Sequence, residues 1–550
     1  MSKHGWKVFE HNGVMFPPAY IPHKIPLIYN NEPILLTPEQ EEYATIFARY
    51  IGTDYYNVSI FKKNFFSDWK TLFDKSTPIK DINLCNFSKI KSHIDKIKEK
   101  QKSLSSEEKR REKQKKDKLA ERFKYAVVDG KKQPVGNFIV EPPSIFIGRG
   151  SHPSLGCIKW RVYPSDITLN LSKGAPLPEI DISKFSSPIP KNKTLKWGNI
   201  VHESKSYWLA SWKDLITGKT KYVWLSDKSD IKASKDEVKF NTAKELGAII
   251  GKVRKTYMEN MTTSKDIKVR QIATAVYFID IFALRVGNEK GEDEADTVGT
   301  VSLRVEHIKI LDDNKIELDF LGKDSVRYIN TFNILPPVYE NLQKFIKGKA
   351  KDENIFHLIS TNDVNKYLKK FMKKVTARVF RTYNSSKLYQ DEIMRLLKEY
   401  NKKEGVYNKN TPHYSPDMGF SYNVDTEVVP ASNYRKLSLS DVLKILNDAN
   451  IAVAMLCNHQ KNVGSNQSSL KDKINKLDKN SKTYKEKVKK LKEKEKSSHL
   501  ALGTSKLNYI DPRITVAFLK KNKIEPSEYY NERELVKFKW ALSIDKDFIF

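Results

Sequence analysis

The chain has 550 residues and carries 98 Lys and Arg against 67 Asp and Glu, a formal net charge of +31. A charge that large repels itself unless it faces a polyanion, while 39% apolar and 11% aromatic residues are enough for packed cores in roughly three to five units of structure, which excludes wholesale disorder. The longest apolar stretch, Ile272 to Val286, is interrupted by Asp280 and falls short of the ~18 residues of a membrane span, and no apolar signal region opens the chain, so a soluble intracellular protein is expected.

In chain order, the first 90 residues mix short apolar runs with Pro17, Pro18, Pro22, Pro26 and Pro33. A helix is predicted from Thr37, with Pro38 at its first position, Glu39 and Glu41 in the first turn and Gly52 at its end. Residues 91–125 hold 14 basic and 7 acidic residues without Gly or Pro, the pattern of one exposed helix laced with opposite charges. From Tyr125 to about Asp230 alternating apolar and polar residues between Gly and Pro turns predict a β-rich lobe. Helices dominate from Asn241 to about Asn384, broken by the hairpin KIELDFLGKDSVRYIN. Residues 392–436 lack sustained periodicity and read as a long surface insertion. Apolar helix resumes over Leu439–Gln460. Residues 461–498 carry 13 lysines against 5 acids. There Leu470, Ile474, Leu477, Tyr484, Val488 and Leu491 form the narrow seam of an antiparallel helix pair joined at KNSK. That hairpin is either a solvated charged surface or one that faces a nucleic acid. A compact region, 499–550, closes the sequence.

Six side chains invite a chemical reading. Arg285 is placed within the apolar helix QIATAVYFIDIFALRVGNEK, and a buried guanidinium needs an anion, either a distant carboxylate or a bound phosphate. Asp280 is five residues away and off the i,i+4 face. Lys323 sits at the tip of the hairpin, where a lysine is solvated or enters a groove as a mobile proton donor. Arg378 and Arg381 share a helical face, suited to bidentate phosphate binding. His459 follows an apolar helix and reads either as a cap or as a catalyst. Tyr509 precedes a helix with Asp511 as N-cap and Pro512 first. It lies between Lys506 and Arg513, which would favour a phenolate nucleophile. The acidic run Glu292–Asp296 has no regular ligand spacing, the three scattered cysteines Cys85, Cys157 and Cys457 make neither a disulfide framework nor a zinc cage, and there is no P-loop pattern.

Taken in order, Arg285, Lys323, Arg381, His459 and Tyr509 resemble the catalytic pentad of the eukaryotic-type type IB DNA topoisomerases. They fall in blocks similar to that family throughout: IFALRVGNEK, DTVGTVSLRVEHI, DFLGKDSVRY, TARVFRTYNSS, LCNHQK and LGTSKLNYIDPRITVA, with KNFFSDWK and EPPSIFIGRGSHP upstream. A tyrosine recombinase would instead carry a His-x-x-Arg box, which is missing here. A non-catalytic DNA clamp would have lost a pentad member.

The resemblance implies an α+β, multidomain, bilobed clamp around DNA. Residues 1–230 would form its cap lobe, 231–460 the mainly helical catalytic lobe, 461–498 a basic coiled-coil linker, and 499–550 a small domain carrying the nucleophilic tyrosine. It implies a monomer that relaxes supercoiled duplex DNA through a 3′-phosphotyrosyl intermediate with no cofactor, metal or ATP. Arg149, Lys221, Tyr222, Asp324 and Asn508 would contact DNA. Arg149, Asp324 and Asn508 would also border the site where camptothecin-type inhibitors intercalate. Four departures stand out: the usual charged N-terminal tail does not precede the core, which bears on the nuclear localisation expected of a eukaryotic member; Ile147 replaces an arginine before Gly-Arg-Gly; the linker is short; and the 392–436 insertion has no assigned role.

Overall fold

The computed structural model describes residues 5–148, 152–186, 189–288, 296–402, 437–460 and 500–550. Arg149, the acidic run before Asp296, most of the insertion and the 461–498 hairpin lie outside the described residues. Two compact units emerge, one of Met1–Lys232 and the other of Ala233–Glu289 with Thr297–Phe550.

In the first unit, helix α1 (Pro38–Ala48) starts as the sequence predicts. Thr37 and Gln40 form a reciprocal capping box, each side chain bonded to the other's amide, with Pro38 in the first turn. Gly52, at φ +84, follows the helix end. After α2 (Ser59–Trp69), the charged stretch forms two helices, α3 (Ser88–Ser103) and α4 (Ser106–Ala120), where one was expected. The break falls at Ser105, whose hydroxyl accepts from the Glu108 amide while Glu108 accepts from the Ser105 amide. A complete N-cap thus competes with helix continuation. Ile90 and Ile94 anchor the start of α3 in the core. The lobe beyond is β-rich, as expected. Strands Thr168–Asn170, Asn199–Val201, Trp208–Lys213 and Thr220–Trp224 form one four-stranded sheet. Val223 points into the core, while Tyr222 and Trp224 on the opposite face are each 37% exposed.

The second unit contains α5 (Asp230–Thr263) from Ala233 onward, α6 (Ile267–Ile281), α7 (Pro336–Ile346), α8 (Thr361–Lys369), α9 (Ala377–Lys402) and α10 (Leu439–Leu456). A three-stranded antiparallel sheet, Ile308–Leu311, Lys315–Leu321 and Arg327–Asn333, contains the predicted hairpin. Ile316, Leu318 and Phe320 alternate into the core, and Phe320 stacks on its cross-strand partner Tyr328 at 5.0 Å.

One expectation is corrected. Residues 392–402 continue α9, because Ile393, Leu396 and Leu397 extend its buried stripe against α10; the charged residues between them masked that period. Within 500–550, Ile510, Ile514, Phe518 and Leu519 meet Tyr389, Val442 and Leu446, while Val516, Tyr530 and Phe538 form a cluster of their own. Among the described residues, no helix is long and apolar enough to cross a membrane.

The carboxylate that interrupts α6 is fully partnered. Asp280 accepts from Arg254 Nε and Nη2 at 2.8 and 3.1 Å, from the Tyr257 hydroxyl at 3.0 Å and from Asn384 Nδ2 at 3.2 Å. It joins α5, α6 and α9. Removing one member of such a buried network leaves the others unsatisfied, so Asp280→Ala should destabilise the protein by about 3 kcal/mol or more in urea denaturation. A change within about 0.5 kcal/mol, typical of a surface substitution, would contradict this role.

Candidate active site

Five chain segments converge in the second unit. The first follows α6. Arg285 is not helical: α6 ends at Ile281, and Ala283 turns the chain at φ +48. The Arg285 carbonyl accepts from the Thr300 amide at 2.8 Å and its hydroxyl at 3.1 Å. This pairing requires Gly287 and Gly299, since a Cβ on Gly299 would lie 2.5 Å from Gly287 backbone atoms. The second segment is the hairpin turn, closed by Gly322 N–H donating to the Val326 carbonyl at 2.9 Å. Lys323 is exposed at its tip, as predicted.

The third is α9. Arg381 is only 4% exposed; its Nη1 donates to the Ala283 carbonyl at 2.6 Å and its Nη2 to the Cys457 carbonyl, while Nε has no partner. Arg378 is solvent-exposed, so the two arginines do not form a fork. The fourth segment leaves α10 through Cys457 and Asn458, the latter at φ +48. His459 follows, buried, its amide bonded to Ala454 and its carbonyl accepting from the Ala501 amide at 2.7 Å. Both ring nitrogens lack a partner. Arg285, Lys323 and Arg381 line one open pocket together with Tyr328, Cys457 and Asn458.

Tyr509 ends the short helix Leu502–Asn508. Ser505 on that helix donates to Asn450 of α10 at 2.7 Å, and Asn450 donates to the Leu502 carbonyl at 3.2 Å. The Tyr509 ring lies 5.3 Å from the His459 ring and 5.2 Å from the Arg381 guanidinium carbon. The phenol is also near enough to Arg285 to act on its charge. Asp511 is the predicted N-cap. The cations beside the phenol, however, are not those expected from sequence: Lys506 is held by Glu534 at 2.9 Å, and Arg513 by Asp511 at 2.8 Å. Arg285 and Arg381 take their place, brought in over long sequence separations that local spacing does not encode.

The electrostatics favour an anion. Burial, then the charge of Arg381, lowers the pKa of Arg285, while Tyr509 and Cys457 oppose this. Burial and the charges of Arg381, Arg285 and Lys323 push His459 down to about 3, so its imidazole is neutral at pH 7. Unpartnered donors held in a buried cationic site are suited to bind an oxyanion.

The residues expected at DNA have different surroundings. Lys221 pairs with Asp214 at 3.0 Å and with Glu141. Tyr222 packs between Trp208 and Trp224, at 5.5 and 5.7 Å. Asn508 is exposed and its side chain turns back to the Thr504 carbonyl at 3.1 Å. Arg149 and the Asp324 side chain lie outside the described residues. Sequence reasoning missed the turns at Ala283 and Asn458 that aim Arg285 and His459. Asn458 carries a usable signal, because asparagine tolerates positive φ, and alanine carries none.

The lowered pKa of His459 makes a signed prediction. The unfolded chain binds this proton below pH 6.5 and the folded chain only near 3, so the stability contributed is complete above pH 6.5 and is lost as pH falls toward 3. His11, lowered to about 4 by burial, acts in the same direction. The His459→Gln variant should therefore lose less stability than the parent between pH 6.5 and 4 in denaturant titrations, and equal acid slopes would contradict the assignment.

The chain matches three family descriptions in succession: "Eukaryotic DNA topoisomerase I, DNA binding fragment" over residues 4–225, "Eukaryotic DNA topoisomerase I, catalytic core" over 228–495, and "C-terminal topoisomerase domain" over 480–550. It is 39% identical to DNA topoisomerase 1 alpha of Arabidopsis thaliana, with 99% of this chain and 59% of that protein covered. It is 37% identical to human DNA topoisomerase 1 and 36% identical to that of Candidozyma auris, covering 72% and 83% of those proteins and 99% of this chain in both cases. The chain thus spans about three-fifths of the plant relative's length. With its α+β fold and matches along almost its whole length, the chain belongs to the eukaryotic DNA topoisomerase I family.

Proposed function

We propose that this protein is a type IB DNA topoisomerase that relaxes positive and negative supercoils of duplex DNA by transient cleavage of one strand. The observation that carries the reading is the Tyr509 phenol lying against Arg285, Arg381 and a His459 ring with both nitrogens unpartnered. As the phenol gives its proton to water, Tyr509 Oη attacks the phosphorus, the P–O5′ bond breaks, and a 3′-phosphotyrosyl bond forms as the 5′-hydroxyl departs. Arg285, Arg381 and His459 hold the non-bridging oxygens as charge builds on the phosphorus. Lys323, on its exposed turn, delivers the proton to the leaving oxygen. One ester replaces another, so the free strand can swivel and religate without ATP, and the side-chain cations supply the charge stabilisation that a metal provides in other phosphoryl-transfer sites.

The +31 net charge supports a clamp lining that tracks a phosphate backbone without reading sequence. Arg149, Lys221, Tyr222, Asp324 and Asn508 belong to that contact set in this proposal. Lys221 would exchange its carboxylates for a phosphate. Residues 461–498 would guide the rotating duplex, and a monomer acting on nuclear DNA fits the family. Camptothecin-type compounds would lodge beside Asn508.

The purified protein is expected to relax plasmid DNA in EDTA without ATP. Tyr509→Phe should abolish relaxation while retaining duplex binding, and Arg381→Ala should slow strand cleavage by about 100-fold or more. Relaxation that required Mg²⁺ or ATP, or that survived the Tyr509 change, would overturn the proposal.

A further inference from the structure

The mechanism above uses the Tyr509 side chain, but something must hold its backbone. Tyr509 lies just outside a short helix, at φ −124 and ψ −26. Its amide shares the Ser505 carbonyl with Ile510, at 3.0 and 3.1 Å. On its other side, one hydroxyl does the work. Ser386 Oγ donates to the Tyr509 carbonyl at 3.0 Å and accepts from the Asp511 amide, also at 3.0 Å. A single side chain thus brackets the nucleophile's peptide units, across more than 120 residues of sequence.

Ser386 is fully buried on α9, the helix that carries Arg381. Five residues separate them, about 7.5 Å of rise on one rigid element. Three helical threonines elsewhere in this unit bond back to their own helix: Thr242 to the Val238 carbonyl, Thr256 to Lys252 and Thr274 to Arg270. Ser386 instead directs its hydrogen to the Tyr509 segment, forgoing the local acceptor usual for a serine within a helix. The far end of the bracket is equally fixed. Asp511 is buried, its carboxylate accepts from Arg513 Nε and Nη2, and Arg513 Nη1 donates to Asn241 of α5 at 2.8 Å.

We infer that Ser386 is a positioning residue, which ties the backbone of Tyr509 to the helix carrying Arg381 and so sets the distance between the nucleophile and the oxyanion-binding guanidinium. The inference rests on the functional reading of Tyr509 above. Ser386 touches neither phosphate nor phenol; it acts through the carbonyl and amide on either side of the reacting residue. A displacement on the ångström scale costs orders of magnitude in a reaction that depends on alignment. A small hydroxyl at a buried site therefore has kinetic consequences out of proportion to its size.

The test is single-turnover cleavage of an end-labelled duplex by the full chain, recording the rate constant and the final amplitude of the covalent protein–DNA complex separately. Ser386→Ala should slow cleavage at least about 10-fold with unchanged amplitude and duplex affinity, and Ser386→Thr, which keeps the hydroxyl, should restore most of the rate. A merely structural role would lower the amplitude, because fewer molecules fold, and leave the rate constant of the folded fraction intact; that result, or an unchanged rate, overturns the inference. Should the alanine variant not fold, Ser386→Cys preserves volume with a weak hydrogen-bonding group and is expected to show the same loss of rate. If the parent protein forms no covalent complex through Tyr509, the functional reading itself fails and the inference with it, an outcome separable from slow cleavage by the variants alone.

Discussion

Two guanidinium groups held beside one tyrosine are the constraint on which the site depends. Like charges brought together in a partly dehydrated pocket repel, and the lowered pKa of Arg285 records that repulsion along with burial. Part of the repulsion is offset by backbone dipoles, since Arg381 donates to the Ala283 and Cys457 carbonyls. Those two carbonyls lie just beyond the ends of α6 and α10, so the guanidinium ties both helix ends to α9 while leaving Nε without a partner. A carboxylate would neutralise the site and remove its affinity for a phosphate. Carbonyls hold the cation in place and leave its charge available.

The surrounding structure is arranged to keep this strained centre in register. The Asp280 network joins α5, α6 and α9 immediately behind the Ala283 turn. The Asn450–Ser505 pair holds the short tyrosine-bearing helix against α10, which also leads into His459. Helix α9 contributes twice, through Arg381 and through Ser386. Stability in the second unit and geometry at Tyr509 are therefore coupled: the residues that knit helices together are adjacent to those that face the pocket.

Much of this was legible in the sequence. The alternation of Ile316, Leu318 and Phe320 around a Gly-Lys-Asp-Ser turn placed Lys323 at a hairpin tip, and Asp511 with Pro512 marked a helix start; both signals are local and need no tertiary information. The Ser105 cap that divides α3 from α4 was also present, but charge periodicity on both sides concealed it. The apolar neighbours of Arg285 predict a helix, but the chain leaves the helix at Phe282, and Leu284 and Val286 beyond it pack with Val298 and Val301. The cations flanking Tyr509 in sequence proved to belong to other pairs. Those that flank it in space come from 128 and more residues away and could be named only through the ordered family resemblance, not through spacing.

The central claim is that Tyr509 exchanges one phosphodiester for another within this cationic pocket. The most direct measurement traps the protein on a 3′-end-labelled duplex in EDTA, digests the complex with protease, and locates the nucleotide adduct by mass spectrometry. The account predicts a single modified residue, Tyr509, linked to a 3′-phosphate, with a free 5′-hydroxyl on the released strand. An adduct on any other residue, a 5′-phosphate linkage, or cleavage without a covalent protein adduct would contradict it.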